Sequence, residues 1–91
     1  MTIRVKYKND IEKVFNSFEE IEDYDNIIHL NCSDNQLTIL PNNLPNSLIE
    51  LKCFNNQITI LPNNLPNSLT KLYCFNNQLT LLPNNLPNSL T

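Results

Sequence analysis

Apolar and polar positions in the later two-thirds of the chain recur with a period of 21 residues. Leu48, Leu51, Cys53 and Ile58 return as Leu69, Leu72, Cys74 and Leu79, and they are preceded by Ile27, Leu30, Cys32 and Leu37. A fixed period in this range marks stacked repeats, here 27–47, 48–68 and 69–91. Within a unit Leu51 and Cys53 alternate with Glu50, Lys52 and Phe54, and a period of two suits a short strand with one buried face. The pattern predicts parallel strands near 29–33, 50–54 and 71–75. Two prolines then follow in each unit, as Pro41 and Pro45 do in the first. Each removes a donor and fixes φ, which excludes a helix. The return path is therefore expected to be extended or polyproline-like, turning at the paired asparagines.

Residues 1–26 follow another pattern. Ile3, Val5 and Tyr7 alternate with Arg4, Lys6 and Lys8, which reads as a half-buried strand. Asn9 followed by Glu12 resembles a capping box, and Ile11, Val14, Phe15, Phe18 and Ile21 fall on one helical stripe. A strand–helix cap over 1–26 is the expectation, joined to the first repeat strand as a right-handed βαβ unit and covering the first rung.

The repeats also follow a template, L-x-x-L-x-L-x-x-N-x-L. Leu48, Leu51, Cys53, Asn56 and Ile58 fit it, as do Leu69, Leu72, Cys74, Asn77 and Leu79, and Ile27, Leu30, Cys32, Asn35 and Leu37. This resembles the leucine-rich repeat family over residues 27–91. The unit tail I-L-P-N-N-L-P-N-S-L is similar to short repeats of bacterial effectors, large amoeba-infecting viruses and social amoebae. The resemblance implies a repeat solenoid: a curved parallel β-sheet with an extended or polyproline convex side, closed by the strand–helix cap. It also implies a non-catalytic scaffold or adaptor binding protein partners on its concave face. Asn35, Asn56 and Asn77 then read as an internal ladder, bonding backbone groups that the turns leave unpaired.

Charge narrows the partners. The formal net charge is −3, which leaves no electrostatic footprint for nucleic acid. Residues 1–26 hold four basic and seven acidic side chains, and 27–91 hold two of each. No apolar run reaches transmembrane length and Met1 to Asp10 lacks a signal-peptide core, so an intracellular, cytoplasmic protein is expected, in host cytoplasm if viral. Glu19, Glu20, Glu22, Asp23 and Asp25 read as a solvated run, since a calcium loop needs Gly and stricter spacing and the chain has no Gly.

Three cysteines invite chemistry. No C-x-x-C pair exists for a metal. A disulfide between rungs fits the spacings of about 4.8 Å between strands and about 4.4–6.8 Å between bridged Cα atoms. Cys32, Cys53 and Cys74 stand where leucine is otherwise buried, so reduced structural thiols are favoured. A Cys32–His29 nucleophile fails because residues three apart on a strand face opposite ways. Cys32-Ser33-Asp34 echoes the C-x-D motif of effector ubiquitin ligases, in which it lies in a separate helical domain. The Asn31-Cys32-Ser33 sequon falls on a predicted strand and reads as chance. No enzyme activity, metal or cofactor is expected.

Comparison of the units points elsewhere. Inward and turn positions barely change, while the outward strand positions vary. Phe54, Tyr73 and Phe75 make an aromatic cluster beside Lys52, Lys71, Glu50 and His29. Such a mixture suits a protein-recognition patch. Cross-strand stacking that stabilises the sheet explains the aromatics equally well, and the two readings are compatible. Alternatives are a truncated or purely structural repeat paralogue, or the substrate-recruiting part of a ubiquitin-ligase system. The partner is unidentified; nucleic acid and membrane are not expected. Leu90 and Thr91 begin a further unit with no polar cap, which predicts self-association through the open last rung.

Overall fold

The computed structural model describes residues 1–81 and 86–87. Five strands form one sheet: β1 (Ile3–Tyr7), β2 (Glu12–Phe15), β3 (Ile27–Asn31), β4 (Glu50–Lys52) and β5 (Lys71–Tyr73), in the spatial order β2-β1-β3-β4-β5. The repeat strands pair in parallel at an offset of one unit, His29 opposite Glu50 and Glu50 opposite Lys71. β1 lies antiparallel to both β2 and β3.

This mixed sheet corrects the expected curved solenoid with its strand–helix cap. The radius of gyration is 12.2 Å, which matches about 12 Å for a compact globule of this length. The extents are 34 × 29 × 18 Å. Two parallel steps of about 4.8 Å span only about 10 Å, too short for curvature to accumulate. Among the described residues the only helices are single 3-10 turns, Phe18–Glu20 and Tyr24–Asn26. The return segments are irregular, apart from one parallel bridge between Ile60 and Leu81.

The expected N-terminal helix is a hairpin strand, and local turn chemistry explains why. Asp10 takes a left-handed conformation (φ 69°), and Asn9 Oδ1 accepts from the Ile11 N–H at 3.2 Å. The Tyr7 N–H donates to the Ile11 carbonyl at 2.9 Å, closing a three-residue loop of the common turn-plus-left-handed-residue kind. The capping-box letters are thus spent on a turn. Ile11 and Val14 are exposed, while Phe15, Phe18 and Ile21 pack against the core, so the supposed stripe has no single buried face. Because β1 runs antiparallel to β3, no βαβ unit forms.

The core lies on one side of the sheet. Ile3, Val5 and Tyr7 from β1 join Ile27, Leu30, Cys32, Leu48, Leu51, Cys53, Ile58 and Leu69. Polar ladders tie the units together behind it. Asn56 Oδ1 accepts from the Asn35 and Leu37 N–H groups at 3.0 and 2.9 Å, and its Nδ2 donates to the Cys32 and Cys53 carbonyls, both at 3.1 Å. Asn77 repeats this with Ile58, Cys53 and Cys74. Asn35 extends the ladder to Thr2, exchanging bonds of 3.0 and 2.8 Å with its backbone. A second ladder is made by Ser47 and Ser68, whose hydroxyls each donate to the Ile27 and Leu48 carbonyls at 2.6 Å respectively. With no Gly in the chain, Asp34, Asn55 and Asn76 supply the left-handed turn after each strand at φ 60°, 55° and 54°. The expectations placed on Leu90 and Thr91 lie outside the described residues.

Candidate functional site

Strand register assembles the outward side chains into rows. Paired residues in adjacent strands point the same way, so Val14, Arg4, Asn31, Lys52 and Tyr73 form one row across all five strands. Glu12, Lys6, His29, Glu50 and Lys71 form the row beside it. Between them runs the inward row containing Val5, Leu30 and Leu51, all buried. Beyond the strand ends come Phe54 and Phe75. Their rings stack with centroids 4.7 Å apart and planes 4° from parallel.

All seven residues expected to contact a partner share this face. Phe75 is 55% exposed and Tyr73 37%, which leaves aromatic surface open to solvent. Lys52 Nζ lies over the Tyr73 ring, 5.7 Å from its centroid, a cation–π arrangement that stiffens both side chains. His29 Nδ1 sits 4.0 Å from a Glu50 carboxylate oxygen. Lys71 is opposite Glu50 in the register.

The hairpin also contributes to the face. Arg4 and Lys6, expected in a cap, continue the two rows across β1, with Val14 and Glu12 outermost on β2. The signal was present in the alternation of Thr2 to Lys8; it needed the antiparallel pairing to be placed. Arg4, Lys6, His29, Asn31, Glu50 and Lys52 line an open depression of about 330 Å³ where the hairpin meets the repeats.

The cysteines lie on the opposite side of the sheet. Cys32 and Cys53 are wholly buried, and burial pushes both thiols up to about 12. For Cys53 the flanking sulfurs of Cys32 and Cys74 add to the rise. Cys74, expected to be buried, is only half-buried, because its rung lies on β5 at the sheet edge; its thiol is raised by the same cause. Protonated thiols in an apolar core are poor nucleophiles and poor metal ligands. Among the described residues no three His, Cys, Asp or Glu side chains converge on one point, and no helix is long and apolar enough to cross a membrane. No family model, curated protein or solved structure matches the chain.

Proposed function

We propose that this chain is a non-catalytic leucine-rich-repeat module that binds a protein partner through the exposed face of its sheet. The observation carrying this reading is the Phe54–Phe75 stack, open to solvent and continuous with Tyr73 and Lys52. Large aromatic surface held rigidly beside mixed charge is what protein hot spots are built from. The rings are preorganised by stacking and by the cation, so little conformational entropy is lost on contact. The unit template argues for the family, and the 21-residue register of the parallel strands supports it.

Affinity capture with the wild type and with Phe54→Ala/Tyr73→Ala/Phe75→Ala tests the reading. Loss of a specific partner from the variant supports recognition through this face. An unchanged set of captured proteins contradicts it and favours a purely structural role for the aromatics.

A further inference from the structure

The outward face is charged against the rest of the molecule. Its two rows hold Arg4, Lys6, Lys52 and Lys71 against Glu12 and Glu50, that is four of the six cations and two of the nine carboxylates. Everything else therefore carries seven acids against Lys8 and Lys13.

Within the face the two rows differ. In one, the cations and His29 have acidic neighbours: Lys6 pairs with Asp10 at 3.7 Å and His29 faces Glu50. In the other, Arg4 and Lys52 flank Asn31, one strand to either side, and among the described residues neither is ion-paired. Asn31 is oriented by its own neighbour: its Oδ1 accepts from the Ser33 N–H at 3.1 Å and from the Ser33 hydroxyl. That leaves its Nδ2 as a donor, with no acceptor paired to it among the described residues. Residues bearing a guanidinium, an amide and an ammonium thus lie on three adjacent strands, their backbones spanning about 10 Å at the wall of the depression. All three are donors.

We propose that Arg4, Asn31 and Lys52 form a carboxylate-binding site, and that it takes an acidic side chain from an extended segment of a partner protein. The inference rests on the protein-binding reading and specifies its partner. Arg4 supplies a planar fork suited to two parallel bonds to a carboxylate, and Lys52 supplies a compact charge opposite it. Phe54 stands two residues beyond Lys52, about 7 Å along the strand on the same side, and it offers apolar contact to a neighbouring residue of the same segment. The matching sequence is an Asp or Glu close to a large apolar residue. Glu12 and Glu50 in the adjacent row oppose a polyanion such as RNA, whose phosphates would spread over both rows, more than a single carboxylate held in one.

The test uses two blocked synthetic peptides, one alternating Glu with Leu and the other Gln with Leu, titrated into the whole chain. The Glu peptide binds, and it binds about tenfold tighter than the Gln peptide, the effect of losing about 1.4 kcal/mol of charge-assisted bonding. Arg4→Gln/Lys52→Gln removes that preference and keeps the thermal midpoint, and added salt weakens only the Glu peptide. Equal affinity for the two peptides, no binding of the Glu peptide, or an unchanged preference in the double variant overturns the site. So does tighter binding of inorganic phosphate or single-stranded RNA. Phe54→Ala/Phe75→Ala separates the two claims. If partner capture is lost in that variant but intact in Arg4→Gln/Lys52→Gln, the protein-binding face stands and the carboxylate site falls.

Discussion

The second and third repeats are nearly the same sequence in different surroundings. Leu51, Cys53 and Ile58 are fully buried, with 0% exposure, while their equivalents Leu72, Cys74 and Leu79 are only partly buried. The letters agree at each position but for one aliphatic exchange, so the difference comes from neighbours. The second repeat has a strand on either side, β3 and β5; among the described residues the third lies at the sheet edge with β4 as its neighbour. In a stacked array a residue's burial belongs to its place in the stack, and its identity only permits it.

The widest contrast follows from charging the thiol position. Cys53→Asp should cost more than about 3 kcal/mol, because a lone carboxylate there has no partner or water. Cys74→Asp should cost clearly less, since a half-buried carboxylate can turn to solvent. Denaturant unfolding of both variants measures the gap, and equal losses would erase the distinction between the repeats.

The asparagine ladder gives a smaller contrast. Asn56→Ala strands the Asn35 and Leu37 N–H groups, while the Cys32 and Cys53 carbonyls keep bonds from Asn35 and Asn77, and it should cost about 2–4 kcal/mol. Asn77→Ala strands only the Ile58 N–H group, and it should cost about 1–2 kcal/mol. Calorimetric midpoints order them.

Alkaline pH sharpens the same comparison. Cys32 and Cys53 hold their protons up to about 12 when folded, against an ordinary value of 9.0. Between those limits the unfolded chain binds fewer protons than the folded one, so stability falls as pH rises. Their contribution is fully present below pH 9 and gone above about 12. Cys53→Ala should flatten that decline, as read by midpoints taken across the range. Thiol labelling at neutral pH gives the smallest effect: Cys74 should react before Cys32 or Cys53. Simultaneous labelling of all three would mean the second repeat is no better covered than the third.

What the sequence disclosed follows the same division. The repeats were legible because stacking copies one solution three times, and a period of 21 shows through any noise at single positions. The outward set from His29 to Phe75 was legible for the same reason, since alternation on a parallel strand assigns sides without knowledge of the partner strand. The hairpin was not repeated, so it had to be read from a single copy. There Asn9 and Glu12 fit a helix start as well as a turn, and only Asp10 in the left-handed region decided between them. The β-branched Ile11 and Val14 suit a strand, a preference masked by the helical spacing they share with Phe15, Phe18 and Ile21. Misplacing that element hid Arg4 and Lys6 from the face, and it replaced a compact mixed sheet with a curved one.

The proposal that Phe54, Tyr73 and Phe75 serve recognition rather than the core can be decided with one variant measured two ways. For Phe54→Ala/Tyr73→Ala/Phe75→Ala, the thermal midpoint and the captured partners are read from the same preparation. The three side chains lie outside the buried core, so the midpoint should fall by only a few degrees, about 1 kcal/mol for the lost stacking, together with loss of the partner. A collapse of the midpoint with partner capture intact in the fraction still folded would contradict it.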